Sequence, residues 1–165
     1  MKFIKYIVLL FLISCTSSDY FVYEKTYVVI TFDDGMESVY DKALPILSQY
    51  NFPAVNCINT GFIGDSGRQS WEQTVELEFA YGWETASHSY THPNLLNCDN
   101  ETLKFQLSED KTNLIEHGLS HDTFALPSGQ IRQDQFEIVS HYFKNIRSSR
   151  DLKFHYPIDR KYLGY

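Results

Sequence analysis

Five runs rich in β-branched and aromatic residues alternate with amphipathic runs of helical period, and no other feature narrows the fold of this 165-residue chain as much. The strand-like runs cover 27–32, 54–59, 83–87, 123–126 and 142–148. Between them, helical periodicity predicts a helix over 37–50, kinked by Pro45, and a second opened by the Ser70–Gln73 capping-box pattern and closed at Gly82. A third is predicted over 101–117, capped by Asn100 and stopped by Gly118, and a fourth over 133–141. Parallel strands need a long crossover, usually a helix, so strand–helix order repeated this often predicts a parallel α/β sheet. The length suits one domain with a substantial core, and 43% hydrophobic with 21% charged residues is ordinary globular composition.

In parallel α/β folds ligands collect at the carboxyl ends of the strands. Here those ends are Asp33-Asp34-Gly35, Asn59-Thr60, His88, Pro127-Ser128-Gly129 and Arg147-Ser148. Two adjacent acids and a glycine closing an apolar run can be a plain turn. His88 and His92 change that balance. Their i, i+4 spacing on a helical turn would set both imidazoles on one side, within reach of one metal ion. Two histidines and one carboxylate form a ligand set for a catalytic zinc or similar divalent ion. Only one aspartate is needed for that. The other is free to take a proton from water whose pKa the metal lowers.

The stretches Thr31-Phe32-Asp33-Asp34-Gly35 and His88-Ser89-Tyr90-Thr91-His92 resemble the first two motifs of the polysaccharide deacetylase family, the NodB homology domain of carbohydrate esterase family 4. The resemblance runs from about Tyr27 to Arg150. It implies a distorted (β/α) barrel, with Asp33 as catalytic base and Asp34, His88 and His92 as ligands of one divalent ion, Zn²⁺ first, Co²⁺ or Ni²⁺ as alternatives. The implied reaction removes N-acetyl groups from an amino-sugar polymer. The third motif departs from the usual pattern: Phe124-Ala125-Leu126-Pro127-Ser128-Gly129 has Ala125 where the family carries an arginine that orients the catalytic acid. An F-A-x-P-x-G branch, including poly-β-1,6-N-acetylglucosamine deacetylases, has this form. By position, the backbone N–H of Ser128 would be the oxyanion donor. His155, in Leu152-Lys153-Phe154-His155, has the form of the family's general acid but lies unusually close behind the fifth strand run. Five strand runs are fewer than such a barrel uses, so an incomplete C-terminal end is expected, with residues 151–165 loosely packed. Two other functions fit the same residues: an inactive carbohydrate-binding remnant, and O-acetyl hydrolysis on a polysaccharide such as xylan.

The N-terminus reads separately. Lys2 and Lys5 precede a short apolar run that ends in Leu12-Ile13-Ser14-Cys15, which resembles a lipoprotein signal over 1–14 with Cys15 as the lipidated residue. Residues 15–26 would then be a tether, 27–165 the catalytic domain, and the location the cell envelope, on a membrane surface. Without the two leader lysines, 12 basic residues face 21 acidic ones, a formal charge of −9. No basic stripe remains for phosphates, so acetylated polysaccharide is the expected partner and nucleic acid is not. Cys57 reads as a small buried hydrophobe, and a bridge to Cys98 stays open.

Overall fold

The computed structural model describes residues 27–149. Five parallel strands lie in the order in which they occur: β1 (Thr31–Phe32), β2 (Val55–Ile58), β3 (Glu84–Ser87), β4 (Thr123–Ala125) and β5 (Asn145–Arg147). The helices α1 (Leu44–Gln49), α2 (Trp71–Phe79), α3 (Asn100–Glu116) and α4 (Phe136–Tyr142) make the crossovers. The sheet curls into an open half-barrel, as the α/β barrel expectation requires.

Three local expectations are corrected. Tyr27, Val28 and Val29 are not part of a buried strand; they are 82%, 81% and 71% exposed. Pairing begins where the Val55 N–H donates to the Ile30 carbonyl, and Pro53, just upstream of β2, has no N–H to extend the ladder. The run over 37–50 is helical but not α-helical throughout. A π-helical turn, Val39–Ala43, precedes Pro45, with the Leu44 N–H reaching back to the Val39 carbonyl. Pro45 therefore sits at the head of α1, where a missing N–H costs little. Finally, α3 is capped by Asp99, whose carboxylate accepts the Thr102 N–H at 2.7 Å, one residue earlier than expected. The Ser70–Gln73 capping box forms as read, with bonds of 3.2 and 2.9 Å.

Strand alternation divides the core. Phe32, Ile58, Phe124 and Ile146 point to the helices, where they meet Leu77 and Trp83, Leu114 and Leu119, and Leu103, Leu107 and Val139 respectively. The opposite, concave face carries a cluster of small side chains, Cys57, Ala86 and Ala125. Cys57 lies opposite Ala86, and Ala125 opposite Arg147. Both Cys57 and Cys98 are free, so the bridge left open above does not form. The proposed leader 1–14, Cys15, the tether, His155 and the expected loose packing of 151–165 lie outside the described residues.

The helix side also buries a carboxylate. Asp110 of α3 has no exposed surface, and burial pushes its pKa from 3.8 up to about 6 against the opposing hydrogen bonds from Ser87 and Thr60. A folded-state pKa above the unfolded one means the folded chain keeps a proton that the unfolded chain gives up, so this group's contribution to stability falls as pH rises from about 4 to about 6. Asp110→Asn should remove that slope. Thermal melts of both proteins from pH 4 to 7.5 should show the variant gaining on the parent through that window and holding its lead above it; parallel curves would count against a buried titrating Asp110.

Candidate active site

The acids after β1 stand in a turn that the chain holds from below. Asp34 has φ 74° and Gly35 φ 58°, both left-handed. A Cβ on Gly35 would come within 3.2 Å of the Ile58 side chain, so only glycine fits there without displacement. The loop after β2 clamps this turn. Arg68 donates from its guanidinium to the Asp34 carbonyl, the Gln69 N–H donates to the Gly35 carbonyl at 2.9 Å, and the Glu37 N–H donates to the Gly67 carbonyl at 3.0 Å. Gln69 itself is fully buried between Asn56 and Thr74, bonded to both. With its backbone held, Asp34 turns its carboxylate away from Asp33, and the two adjacent acids acquire different neighbours.

Asp34 faces the histidines. Its Oδ1 lies 3.7 Å from His88 Nε2 and 3.6 Å from His92 Nε2, and the ligand atoms of the three residues all lie within 4.8 Å of one another. Those separations are too long for hydrogen bonds but close to the ~3.4 Å edge of a tetrahedron with ligand bonds of ~2.1 Å. His88 is 2% exposed, and its Nδ1 lies 2.8 Å from the Ala125 carbonyl. Donation at Nδ1 leaves the Nε2 lone pair pointing towards Asp34, the usual arrangement of a ligating histidine. Burial, the largest influence, pushes the His88 pKa below its ordinary value and so favours this neutral form. The donor set therefore suits one divalent ion. The expectation of a helical turn over 88–92 is corrected: the segment is an irregular bend with Ser89 at φ 65° and His92 at φ 51°, tied by the His92 N–H donating to Ser89 Oγ. The imidazoles converge edge to face, centroids 4.9 Å apart, because the bend reverses the chain between them.

Asp33 has a different principal partner. Its Oδ1 accepts a hydrogen bond from Arg147 Nη2 at 2.5 Å. Burial raises the Asp33 pKa, but the Arg147 hydrogen bond and charge outweigh it and hold the carboxyl below its ordinary value. Arg147 ends β5, so this pair joins the first and last strands of the described sheet across its concave face. Cys57 sits beside both partners, and burial pushes its thiol up to about 12, leaving it protonated.

The polysaccharide deacetylase family profile matches residues 22–142. The chain belongs to that family. It is 28% identical over 131 residues to the poly-β-1,6-N-acetyl-D-glucosamine N-deacetylase of Staphylococcus aureus strain MRSA252, covering 71% of this chain and 45% of that protein. The chain thus spans about half the length of such curated relatives. Among solved structures it resembles the Streptococcus pyogenes deacetylase PplD in complex with acetate, with a TM-score of 0.67 and 26% identity over 70% of this chain and 52% of that one. IcaB from Ammonifex degensii matches with a TM-score of 0.64 and 28% identity, over 74% of this chain and 60% of that one.

Of the residues singled out from sequence, Asp33, Asp34, His88 and His92 come together on one rim. Ser128 stands on that rim too, exposed at the end of β4 with φ 56°, in a turn whose Gly129 carbonyl accepts from Ser148 Oγ. Sequence reasoning missed Arg147 as a partner of Asp33. The signal was present: an arginine was absent at Ala125, and another stood at the end of the next strand, directly opposite in register. His92→Ala should leave the melting temperature nearly unchanged, since His92 is 33% exposed, yet abolish stoichiometric Zn²⁺ in protein dialysed and analysed for metal. One tightly held ion per chain in that variant would show that the three donors do not share it.

Proposed function

We propose that this chain is a metal-dependent N-deacetylase acting on an N-acetylglucosamine polymer, the β-1,6-linked form first. The observation that carries this reading is the division of labour between the adjacent acids: Asp34 converges with two histidines, while Asp33 pairs with an arginine. Asp34, His88 and His92 would hold the ion, Zn²⁺ before Co²⁺ or Ni²⁺, and a bound ion supplies Lewis-acid polarisation of the amide carbonyl and acidifies water.

The chain's own groups supply the rest. Asp33, kept ionised by Arg147, is the general base that takes a proton from the attacking water. The new C–O bond forms at the acetyl carbon, the C–N bond breaks, and the products are acetate and a free amine on the sugar. The backbone N–H of Ser128 is assigned to the amide oxygen as negative charge develops there. The departing amine needs a proton, and sequence alone assigns that task to His155. The match to the staphylococcal deacetylase supports the polymer and linkage. The leader sequence supports an envelope location through a lipidated Cys15.

Asp33→Asn should keep its metal while losing about 10²–10⁴-fold in acetate release from β-1,6-linked N-acetylglucosamine oligomers. Arg147→Met should also keep its metal and lose about 10²-fold, because a base out of place by an ångström costs that much. Full activity in Asp33→Asn would remove the base assignment. Cell fractionation tests location: Cys15→Ser should move the protein from the membrane to the soluble fraction or block its processing, whereas a soluble, unlipidated parent would leave a simple secretory signal.

A further inference from the structure

Helix α3 buries two polar residues, Gln106 and Asp110, and half-buries a third, Asn113. Gln106, Asp110 and Asn113 stand at i, i+4 and i+7, one helical face, among the apolar Leu103, Leu107 and Leu114. Their side chains bond to Ser87 and Thr91, which precede the two histidines, and to Thr60, just after β2. The Gln106 side chain accepts the Thr91 N–H at 2.8 Å and donates to Thr91 Oγ1 at 2.9 Å, while its carbonyl accepts the Tyr90 N–H at 3.2 Å. Asp110 accepts the Thr60 N–H at 2.8 Å through one oxygen and the Ser87 hydroxyl through the other. Asn113 donates to Thr60 Oγ1 at 3.0 Å. Ser87 immediately precedes His88, and Thr91 immediately precedes His92. From the β2 side, Asn59 donates to the carbonyls of both His88 and Ser89.

We infer that Asp110 and Gln106 are positioning residues for the metal centre, holding His88 and His92 in place through Ser87, Thr60 and Thr91. The inference rests on the metal reading proposed above. Leucine would be cheaper to bury than a carboxylate with no exposed surface, since charge removed from water is costly even when hydrogen-bonded. A helix that only filled the core would have no use for this stripe. The side-chain bonds of all three run to the two segments that carry or support the ligands. Gly61 shows how tight the grip is: its N–H donates to the Tyr90 carbonyl, and a Cβ there would come within 2.6 Å of that oxygen.

The test uses the full chain with Asp110→Asn, Asp110→Ala and Gln106→Ala, and reads Co²⁺ binding by chelator competition together with the visible spectrum of the bound cobalt. Asparagine can still accept the Thr60 N–H, with the Ser87 hydroxyl turning to accept, so Asp110→Asn should bind Co²⁺ within about threefold of the parent with the same spectrum. Asp110→Ala and Gln106→Ala should lose about 10–100-fold in affinity, the usual cost of losing support behind a ligand, and change the cobalt spectrum. Gln106→Ala with unaltered affinity and spectrum overturns the inference, and it decides the matter alone if Asp110→Ala does not fold. A parent chain whose Co²⁺ binding does not depend on His92 overturns the metal reading itself, and this inference with it.

Discussion

Four residues at the rim of this half-barrel hold a backbone conformation that side chains disfavour. Asp34, Ser89, His92 and Ser128 all have positive φ, and among the described residues only one other non-glycine residue, Asn51, shares the trait. Left-handed backbone costs a non-glycine residue about 1–3 kcal/mol and persists where the surroundings over-determine it. Its concentration here has a geometric reason. A strand leaving a sheet sends successive side chains to opposite faces, so a regular continuation of β1 or β3 would keep neighbouring side chains facing apart along one fixed line. Turning the chain sharply just past the strand lets Asp34 and the two histidines aim at one point while Asp33 keeps the direction set by its strand.

Strain of that kind must be offset nearby, and the offset lies in buried polar contacts. The loop after β2 clamps the Asp34 turn through Arg68 and Gln69, and α3 clamps the histidine bend through Gln106 and Asp110. Buried polar groups are costly when unpaired but rigid and specific when bonded. An apolar core underneath would stabilise the fold as well, yet it would leave the bend free to relax. The hydrophobic clusters hold the helices to the sheet, and the polar clamps hold the rim to the helices.

The parallel strand–helix alternation, the helices and Asp33, Asp34, His88 and His92 were legible because each depends on local pattern: alternation, capping chemistry and short motifs. What was not legible depends on long-range geometry. The exposure of Tyr27 to Val29 follows from where Pro53 ends the neighbouring strand's supply of donors, not from their own β-branched character. The π turn ahead of Pro45 is a way of keeping a helix continuous that no residue type announces. The bend over 88–92 was read as helical because i, i+4 spacing suits a helix, yet a reversed bend also brings two side chains together. Arg147 was visible as a strand end but not as a partner of Asp33, since the two are 114 residues apart and meet only once the sheet curls.

That meeting gives the departure at Ala125 a physical meaning. The family's usual arginine would rise from β4. Here β4 ends in alanine, and the residue paired with it on β5 is arginine. Paired residues on neighbouring parallel strands point to the same face about 4.8 Å apart, so moving a guanidinium by one strand demands a longer reach across the concave surface. The small side chains of Cys57, Ala86 and Ala125 leave room on that face for the reach, and Cys57 lies beside both Arg147 and Asp33. The absent arginine and the small-residue floor are therefore parts of a single arrangement. In it, Asp33 keeps a cationic partner although the third motif has lost its own.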